Sequence, residues 1–555
     1  MSILTGAEIL IESLKEERVD TIFGHPGGAV IQIYDAIYKS DINHFLTRHE
    51  QGAAHAADGY ARSTGKVGVC LATSGPGGTN LVTGLATAYM DSVPLVAFTG
   101  QVATNLIGKD AFQEADIRGI SLPVTKHNYL VTDVKDLAQT IKEAFYIART
   151  GRPGPVLIDF PKDVATSSTE FNYPDKVDLR GYKPTYYGHK MQIAKAAEAI
   201  NKAKKPLLYV GGGAILADAA KEVRQLVRKG RIPITTTLMA LGIFPENDPL
   251  SLEMLGMHGT RYANYATGET DLLIAVGARF DDRVTGELDL YATNARVIHI
   301  DIDPAEIGKN VEVDIPIVGD VKNILKELIP MVHEKKEGKW QKQLEEWKKE
   351  YPLEYDNPGE EIKPQYIMQE IYKLTRGEAI ITTEVGQNQM WAAQYYKYSI
   401  PRSFITSGGL GTMGYGFPAS IGVKMGNPDR DVVLIAGDGS LQMNIQELAT
   451  LSTYKVPVKI IVLNNNSLGM VRQWQEIFFE KRYSATVIKN PDFVKIAEAY
   501  GVEAASIERK SEVKDALQEL MDSDGPFLLE VKIPTEENVF PMVPPGAGIV
   551  DMIGG

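Results

Sequence analysis

The stretch GDGSLQMNIQELATLSTYKVPVKIIVLNNNSLGM carries an aspartate, Asp438, between Gly437 and Gly439, and near its far end an asparagine triplet whose middle member is Asn465. One acid and one amide oxygen, with few other anionic groups nearby, make a poor all-protein cage for a cation. They suit Mg²⁺, which prefers six oxygens and completes its shell with water and substrate phosphates. The pair therefore predicts a diphosphate ligand. A turn-capping aspartate and left-handed asparagines are the plainer reading for a bare GDG. The spacing of GDG and NN across a strand–helix–strand unit favours the metal.

These residues need elements to deliver them. VVLIAG reads as a strand, and Asn444 with Glu447 three positions on reads as a capping-box start to a helix with Ile445, Leu448 and Leu451 on one face. Pro457 ends that helix and VKIIVL forms the next strand. Asp438 and Asn465 then lie beyond the carboxyl ends of parallel strands, the crest where open α/β sheets bind ligands. Runs such as VGVCLAT, PVLIDF, PLLYV, DLLIAV, EAIITT and FLLEVKI alternate with helical patterns throughout the chain. The fold class is α/β, with three doubly wound parallel-sheet domains. Stretches 163–190 and 334–364 break the rhythm and read as linkers, giving domains at 1–165, 190–335 and 365–535, with a tail at 536–555 expected to fold over the site. The run HEKKEGKWQKQLEEWKKE reads as a solvated helix. VCLATSGPGGTNLVTGLATAYMDSVPLVAF and VLIAGDGSLQMNIQELATLSTYKVPVKIIVL share one plan, with Val93 and Val456 in matching places. The outer domains read as products of duplication.

Composition narrows the partners. A chain of 555 residues exceeds a single core, and 44% apolar with 23% charged residues is ordinary for a globular protein. No apolar run approaches the roughly 20 residues that span a bilayer. A net charge of −13 offers no footprint for phosphate backbones. Neither membrane nor nucleic acid is an expected partner, and a small substrate is. The N-terminal residues read as an amphipathic helix with Ile9, Leu10, Ile11 and Leu14 inward, not as an export signal. The single Cys70 fits a reducing, cytoplasmic setting and an inert buried thiol.

The spacing of GDG and NN resembles the cofactor motif of the thiamine-diphosphate enzymes. The resemblance implies that Asp438, the Asn465 side chain and the Ser467 main-chain carbonyl hold Mg²⁺. Gly437, Gly439, Ser440, Leu468, Gly469 and Met470 would complete the diphosphate half. Gly386, Gln387, Asn388 and Gly411 would lie along the cofactor, with Met413 propping it in a bent form. Glu50, in HFLTRHEQGAAHAADGYARSTG, matches the carboxylic group that switches the aminopyrimidine tautomer; alone it would read as a helix-start acid. FGHPGGAV and TSGPGGTN would line the pyrimidine end, with Gly27 facing the reaction centre. In that family the pyrimidine domain of one chain meets the diphosphate domain of another, which implies a homodimer or homotetramer.

In the middle of the chain, GMHGTRYANYA, GARFDDRVTG and HIDIDPAEIGKN are similar to the FAD-dependent acetohydroxyacid (acetolactate) synthases, in particular their biosynthetic catalytic subunits. On physics alone YVGGGA and AVGARFDDR suggest only a nucleotide-binding sheet, since no GxGxxG is present. The resemblance implies FAD contacts at Arg152, Gly211, Gly212, Gly213, Leu238, Met239, His258, Gly277, Arg279, Asp281, Arg283, Asp301, Ile302 and Asp320. It implies decarboxylation of pyruvate on thiamine diphosphate and transfer of the two-carbon unit to a second pyruvate or to 2-oxobutyrate, the entry to branched-chain amino-acid synthesis. The reaction is redox-neutral, so the flavin would be structural.

Phe112, Gln113, Met470, Val471 and Trp474 match residues that wall the reaction space. Arg283 matches the cation for the acceptor carboxylate, for which a forked guanidinium is suited, and Lys162 matches an access-channel residue. A small regulatory subunit is a further implied partner. The alternatives are a catabolic acetolactate synthase, a pyruvate oxidase, a 2-oxoacid decarboxylase, a glyoxylate carboligase or a non-catalytic flavin- or nucleotide-binding scaffold. The chain has no His-His pair of the decarboxylase kind, and the glyoxylate carboligase lacks the pyrimidine glutamate that Glu50 matches.

Overall fold

The computed structural model describes residues 2–554. Among them are three six-stranded sheets and one two-stranded ribbon. In each large sheet every pairing is parallel. The runs of valine, isoleucine and leucine explain this arrangement. Strands such as Gly68–Ala72, Leu272–Val276 and Val432–Gly437 are buried on both faces, and a strand covered on both sides by helices has no need of alternation.

The first sheet comprises Thr21–Gly24, Asn43–Leu46, Gly68–Ala72, Leu95–Gln101, His127–Leu130 and Pro155–Pro161. The third comprises Ile380–Thr383, Phe404–Ile405, Val432–Gly437, Lys459–Asn464, Glu503–Ile507 and Phe527–Lys532. Numbered along the chain within each sheet, both have the spatial order 2-1-3-4-6-5. The shared topology matches the internal echo between the two segments. The middle sheet, Pro206–Val210, Ile234–Thr236, Ser251–Met254, Leu272–Val276, Arg296–Asp301 and Ile315–Val318, has the order 3-2-1-4-5-6 of dinucleotide-binding sheets.

The N-terminal helix Gly6–Glu16 starts from a Thr5/Glu8 capping box and buries Ile9, Leu10, Ile11 and Leu14. Between the first two sheets, Ser168–Glu170 pairs antiparallel with Ile3–Thr5. The charged run forms the helix Lys339–Glu350, which presents charge outward but seats Trp340 and Leu344 against the middle sheet. The outer units meet through the small-residue helix Glu50–Thr64, which packs on Gly416–Gly426. Their backbones approach so closely that a Cβ on Gly422 would lie 1.8 Å from the Ala56 carbonyl oxygen.

One local expectation fails. Asn444 does not cap a helix: it sits at a kink (φ −134°, ψ 28°) between a short helix and Leu448–Tyr454, and its amide donates to the Gly414 carbonyl. Glu447 does not reach back to Asn444. Its carboxylate accepts main-chain N–H groups of Arg48 and His49. Unpaired donors in the turn before another helix outcompeted the local cap.

Candidate active site

The strands Ile380–Thr383 and Val432–Gly437 are neighbours at the point where the third sheet's order reverses, which is where such sheets open a crevice. Asp438 begins the helix after the second of these strands, and Asn465 follows Lys459–Asn464. Asp438 is buried, and burial pushes its carboxyl up to about 6 against the hydrogen bonds it accepts. Those bonds come from Gly439 N–H (2.9 Å) and from the Asn490 amide (2.6 Å). Asn465 Oδ1 accepts Ser467 N–H, and its Nδ2 lies 3.3 Å from Gln387 Oε1. Leu468 is bonded through its N–H to the Thr486 carbonyl, and Gly469 opens the helix Gly469–Phe478. Ser440 is buried behind Gly437.

Gln387 also donates to Gln473 and to the Glu537 carbonyl, while Asn388 donates to the carbonyls of Glu384 and Ile435, tying the two strand ends together. Glu384 is a residue that sequence reasoning missed. Fully buried and pushed up to about 7 by burial, it accepts N–H bonds from Gly414 and Phe417 and so shapes the turn that carries Gly411 and Met413. Its place directly after the strand EAIITT was the available signal. Asn490 had none: it lies in an irregular turn 52 residues from Asp438.

On the first sheet's crest, Glu50 is the first residue of its helix, and its Oε2 accepts the Asn80 amide at 3.0 Å. Gly27 lies nearby against Thr73. Gln113 adopts φ +60° with its main chain packed on Gly75, Phe112 is 88% exposed, and Lys162 stands exposed at the start of Lys162–Thr166. The loop bearing Phe112 and Gln113 is held from beneath. Gln101 donates to the Ala115 carbonyl and to Asp159, a buried acid pushed up to about 7 by desolvation.

A cavity of about 660 Å³ opens between the units. It is lined by Arg152, Gly211, Gly212, Gly213, Leu238, Met239, His258, Gly277, Arg279, Asp281, Arg283, Asp301, Ile302 and Asp320, and also by Gly386, Gly411, Met413, Met470, Val471 and Trp474. Glu50, Gly27, Phe112, Gln113 and Lys162 do not line it, and neither do Asp438 and Asn465. A single chain thus brings the middle sheet's crest together with one flank of the third, and leaves the first sheet's crest facing elsewhere.

The cavity fits a dinucleotide. Its floor is the switch point of the middle sheet, where Gly211 and Gly213 interlock with Gly277 (φ +57°); a Cβ on Gly277 would stand 2.7 Å from Ala214 N. Only bare main chain fits there, and bare main chain is what lets a diphosphate approach. Asp301, Glu306 and Asp320 provide acceptors along the wall, and burial pushes Asp301 up to about 6. Thr237 Oγ1 and Glu306 Oε2 are buried there without a hydrogen-bond partner, the condition a ligand's polar groups would relieve. Arg152 is steered by Glu306 (2.7 Å), Asp303 (3.2 Å) and Ser92, and Arg279 by Asp281 (2.7 Å). His258, pushed down to about 4 by burial, is neutral and faces the Pro541 carbonyl.

The Arg283 guanidinium sits 5.9 Å from the centre of the Trp474 ring, which joins the middle unit to the helix after Asn465. The chain's last residues pack on this same side: Val543 N–H bonds to Met257 and Gly548 bridges to Gly286.

Three family models divide the chain: "Thiamine pyrophosphate enzyme, N-terminal TPP binding domain" over residues 4–120, "central domain" over 193–328 and "C-terminal TPP binding domain" over 384–531. Similarity to individual proteins runs the full length. The "Acetolactate synthase large subunit" of Haemophilus influenzae is 50% identical over 566 residues, covering 100% of this chain and 98% of the relative. The "Acetolactate synthase" of Arthrospira platensis is 51% identical, covering 99% and 98%. The "Acetolactate synthase large subunit" of Corynebacterium glutamicum is 50% identical, covering 99% and 90%.

Proposed function

The chain belongs to the acetolactate synthase large subunits, a family of three-domain thiamine pyrophosphate enzymes, and from that premise we propose its reaction. It decarboxylates pyruvate and joins the two-carbon unit to a second 2-oxoacid. The product is 2-acetolactate from pyruvate or 2-aceto-2-hydroxybutyrate from 2-oxobutyrate, at the entry to branched-chain amino-acid synthesis. Thiamine diphosphate, when bound, supplies the carbanion chemistry of both halves. The protein's own groups bind, orient and exclude water.

Asp438, Asn465 and the Ser467 carbonyl would hold Mg²⁺ against the diphosphate; an acid and an amide at a switch point suit that ion. Glu50 would hold a proton at the pyrimidine nitrogen. Flavin adenine dinucleotide would fill the cavity between Gly211 and Asp320, and since the reaction transfers no net electrons its role is structural. The observation that carries the carboligase reading is Arg283 over Trp474 on the wall shared with Gly411, Met413 and Met470. A forked cation there would suit an acceptor carboxylate, which a simple decarboxylase does not need.

Glu50 and Asp438 on different crests favour a site completed by a second copy of the chain. Exposed apolar side chains support such a partner: Phe112 and Leu122 on the first unit, Met443, Val471 and Val487 on the third. Relatives named large subunits favour a small partner chain as well. The direct test is an anaerobic assay with pyruvate, thiamine diphosphate, Mg²⁺ and FAD. Acetolactate is expected, and adding 2-oxobutyrate should divert product to the mixed acid. Acetaldehyde, or turnover only with an electron acceptor, would overturn the reading.

A further inference from the structure

We propose that Glu447 is a positioning residue for Glu50: a carboxylate of the third unit that fixes the turn from which its own chain's Glu50 helix begins. The inference rests on the shared-site reading above, and gives it a consequence. Each chain's diphosphate unit would set the geometry of the Glu50 that the chain lends to the other site.

Glu447 is fully buried. Its Oε1 accepts Arg48 N–H at 3.0 Å and His49 N–H at 3.1 Å, and its Oε2 accepts the Thr450 hydroxyl at 2.6 Å. The first N–H groups at a helix start have no intrahelical partner, and those of the turn leading into one need a partner as much. Arg48 and His49 immediately precede Glu50, so the bonds bear on the main chain that aims its side chain. The contact is close: a Cβ on Gly52 would stand 2.7 Å from Glu447 Oε1. The rest of the helix Leu448–Tyr454 grips the same segment. Leu46 N–H bonds to the Tyr454 hydroxyl and the Arg48 guanidinium to Thr453.

A carboxylate takes all three donors at once: both N–H groups on Oε1 and the Thr450 hydroxyl on Oε2. An amide would keep the two N–H bonds only with its NH₂ turned to Thr450, whose hydroxyl would then donate to the Leu46 carbonyl instead, so the charge and the short hydroxyl bond would be lost. Asn444, three residues earlier, holds the Gly414 carbonyl beside Met413. One short segment therefore touches the supports of both half-sites.

The experiment uses full-length chains carrying two different tags, purified as mixed oligomers. One chain carries Asp438→Ala, so the surviving site pairs its Glu50 with the other chain's Asp438. Glu447→Gln is placed in either chain. We expect a loss in kcat of about tenfold or more, of the order that small misplacements of a reacting group cause, when it shares a chain with the working Glu50, and less than about twofold in the other arm. Glu50→Gln in the same two arms locates the working Glu50 independently. If it silences the arm opposite to that expected, the shared site is wrong, and Glu447→Gln should follow it there. Equal losses in both arms, or none, would overturn the positioning role whatever the site's composition. Thermal melting and retained cofactor check that the variants fold. Should Glu447→Gln not fold, Thr450→Val removes one donor only, and a loss confined to the same arm is expected; a loss equal in both arms would again count against the proposal.

Discussion

If Asp438 holds Mg²⁺ as proposed, burial and metal binding pull in opposite directions at its carboxyl. Burial raises it to about 6, whereas a cation would need it charged, so protons would compete with Mg²⁺ on the acid side of that value. Apparent Mg²⁺ affinity should fall by about tenfold per pH unit below about 6, because one proton is displaced per ion bound. Following cofactor binding during Mg²⁺ titrations across that range checks this, and a flat profile would remove Asp438 from the site. Asn490, which orients Asp438 Oδ2, should matter almost as much; Asn490→Ala is expected to raise the Mg²⁺ requirement by about tenfold. Replacing Glu50 by Gln should cost about 100-fold or more in acetolactate formation, within the range of a single proton-transfer group, with an unchanged melting temperature. Asp438, Asn465 and Glu50 were legible because each stands where a strand ends or a helix starts, positions that leave a local pattern. Glu384, directly after a strand, stands at such a position too, whereas the bonds of Asn490 and Glu447 left no local sign. Their partners lie tens to hundreds of residues away, and no spacing along the chain encodes a hydrogen bond made by folding.

Elements carry the next set of expectations. The interlock of Gly211, Gly213 and Gly277 leaves no volume for a side chain, so if the cavity takes the flavin proposed for it, Gly277→Ala should abolish flavin binding while the sheet survives; absorbance of the purified protein reports this directly. Arg62 is buried between Asp58 and Asp91, beneath the Tyr415 ring, and Asp91 in turn holds the N–H groups of Gly408 and Gly409 on the cavity wall. Arg62→Met leaves two buried acids unpaired, which should destabilise by about 3–5 kcal/mol in urea unfolding and loosen flavin retention. Apolar runs declared the buried strands because parallel strands covered on both faces must be apolar throughout. The edge strand Glu503–Ile507 carries mixed polarity and Phe404–Ile405 is only two residues long, so neither presents an apolar run to read. Asn444 and Glu447 show the opposite failure, a good local cap pattern overruled by tertiary donors.

For the whole molecule, the first and third units share one topology, yet on the proposed reading they would hold complementary halves of the chemistry. A chain that offers Glu50 on one crest and Asp438 on another should lose activity on dilution in step with its dissociation. Specific activity measured against sedimentation over the same concentrations tests this, and full activity in a monomer would contradict it. The similarity of the two outer units was legible from their common plan, but not which faces meet, since that depends on shapes assembled from distant residues. The cavity beside Arg152 draws its walls from all three units: Asp91 and Arg152 from the first, the glycine floor from the second, Gly408 to Met413 and Trp474 from the third. A molecule wedged there acts as a keystone. It can be indispensable to the arch without ever exchanging an electron, so a redox cofactor can outlive its redox role and persist as masonry.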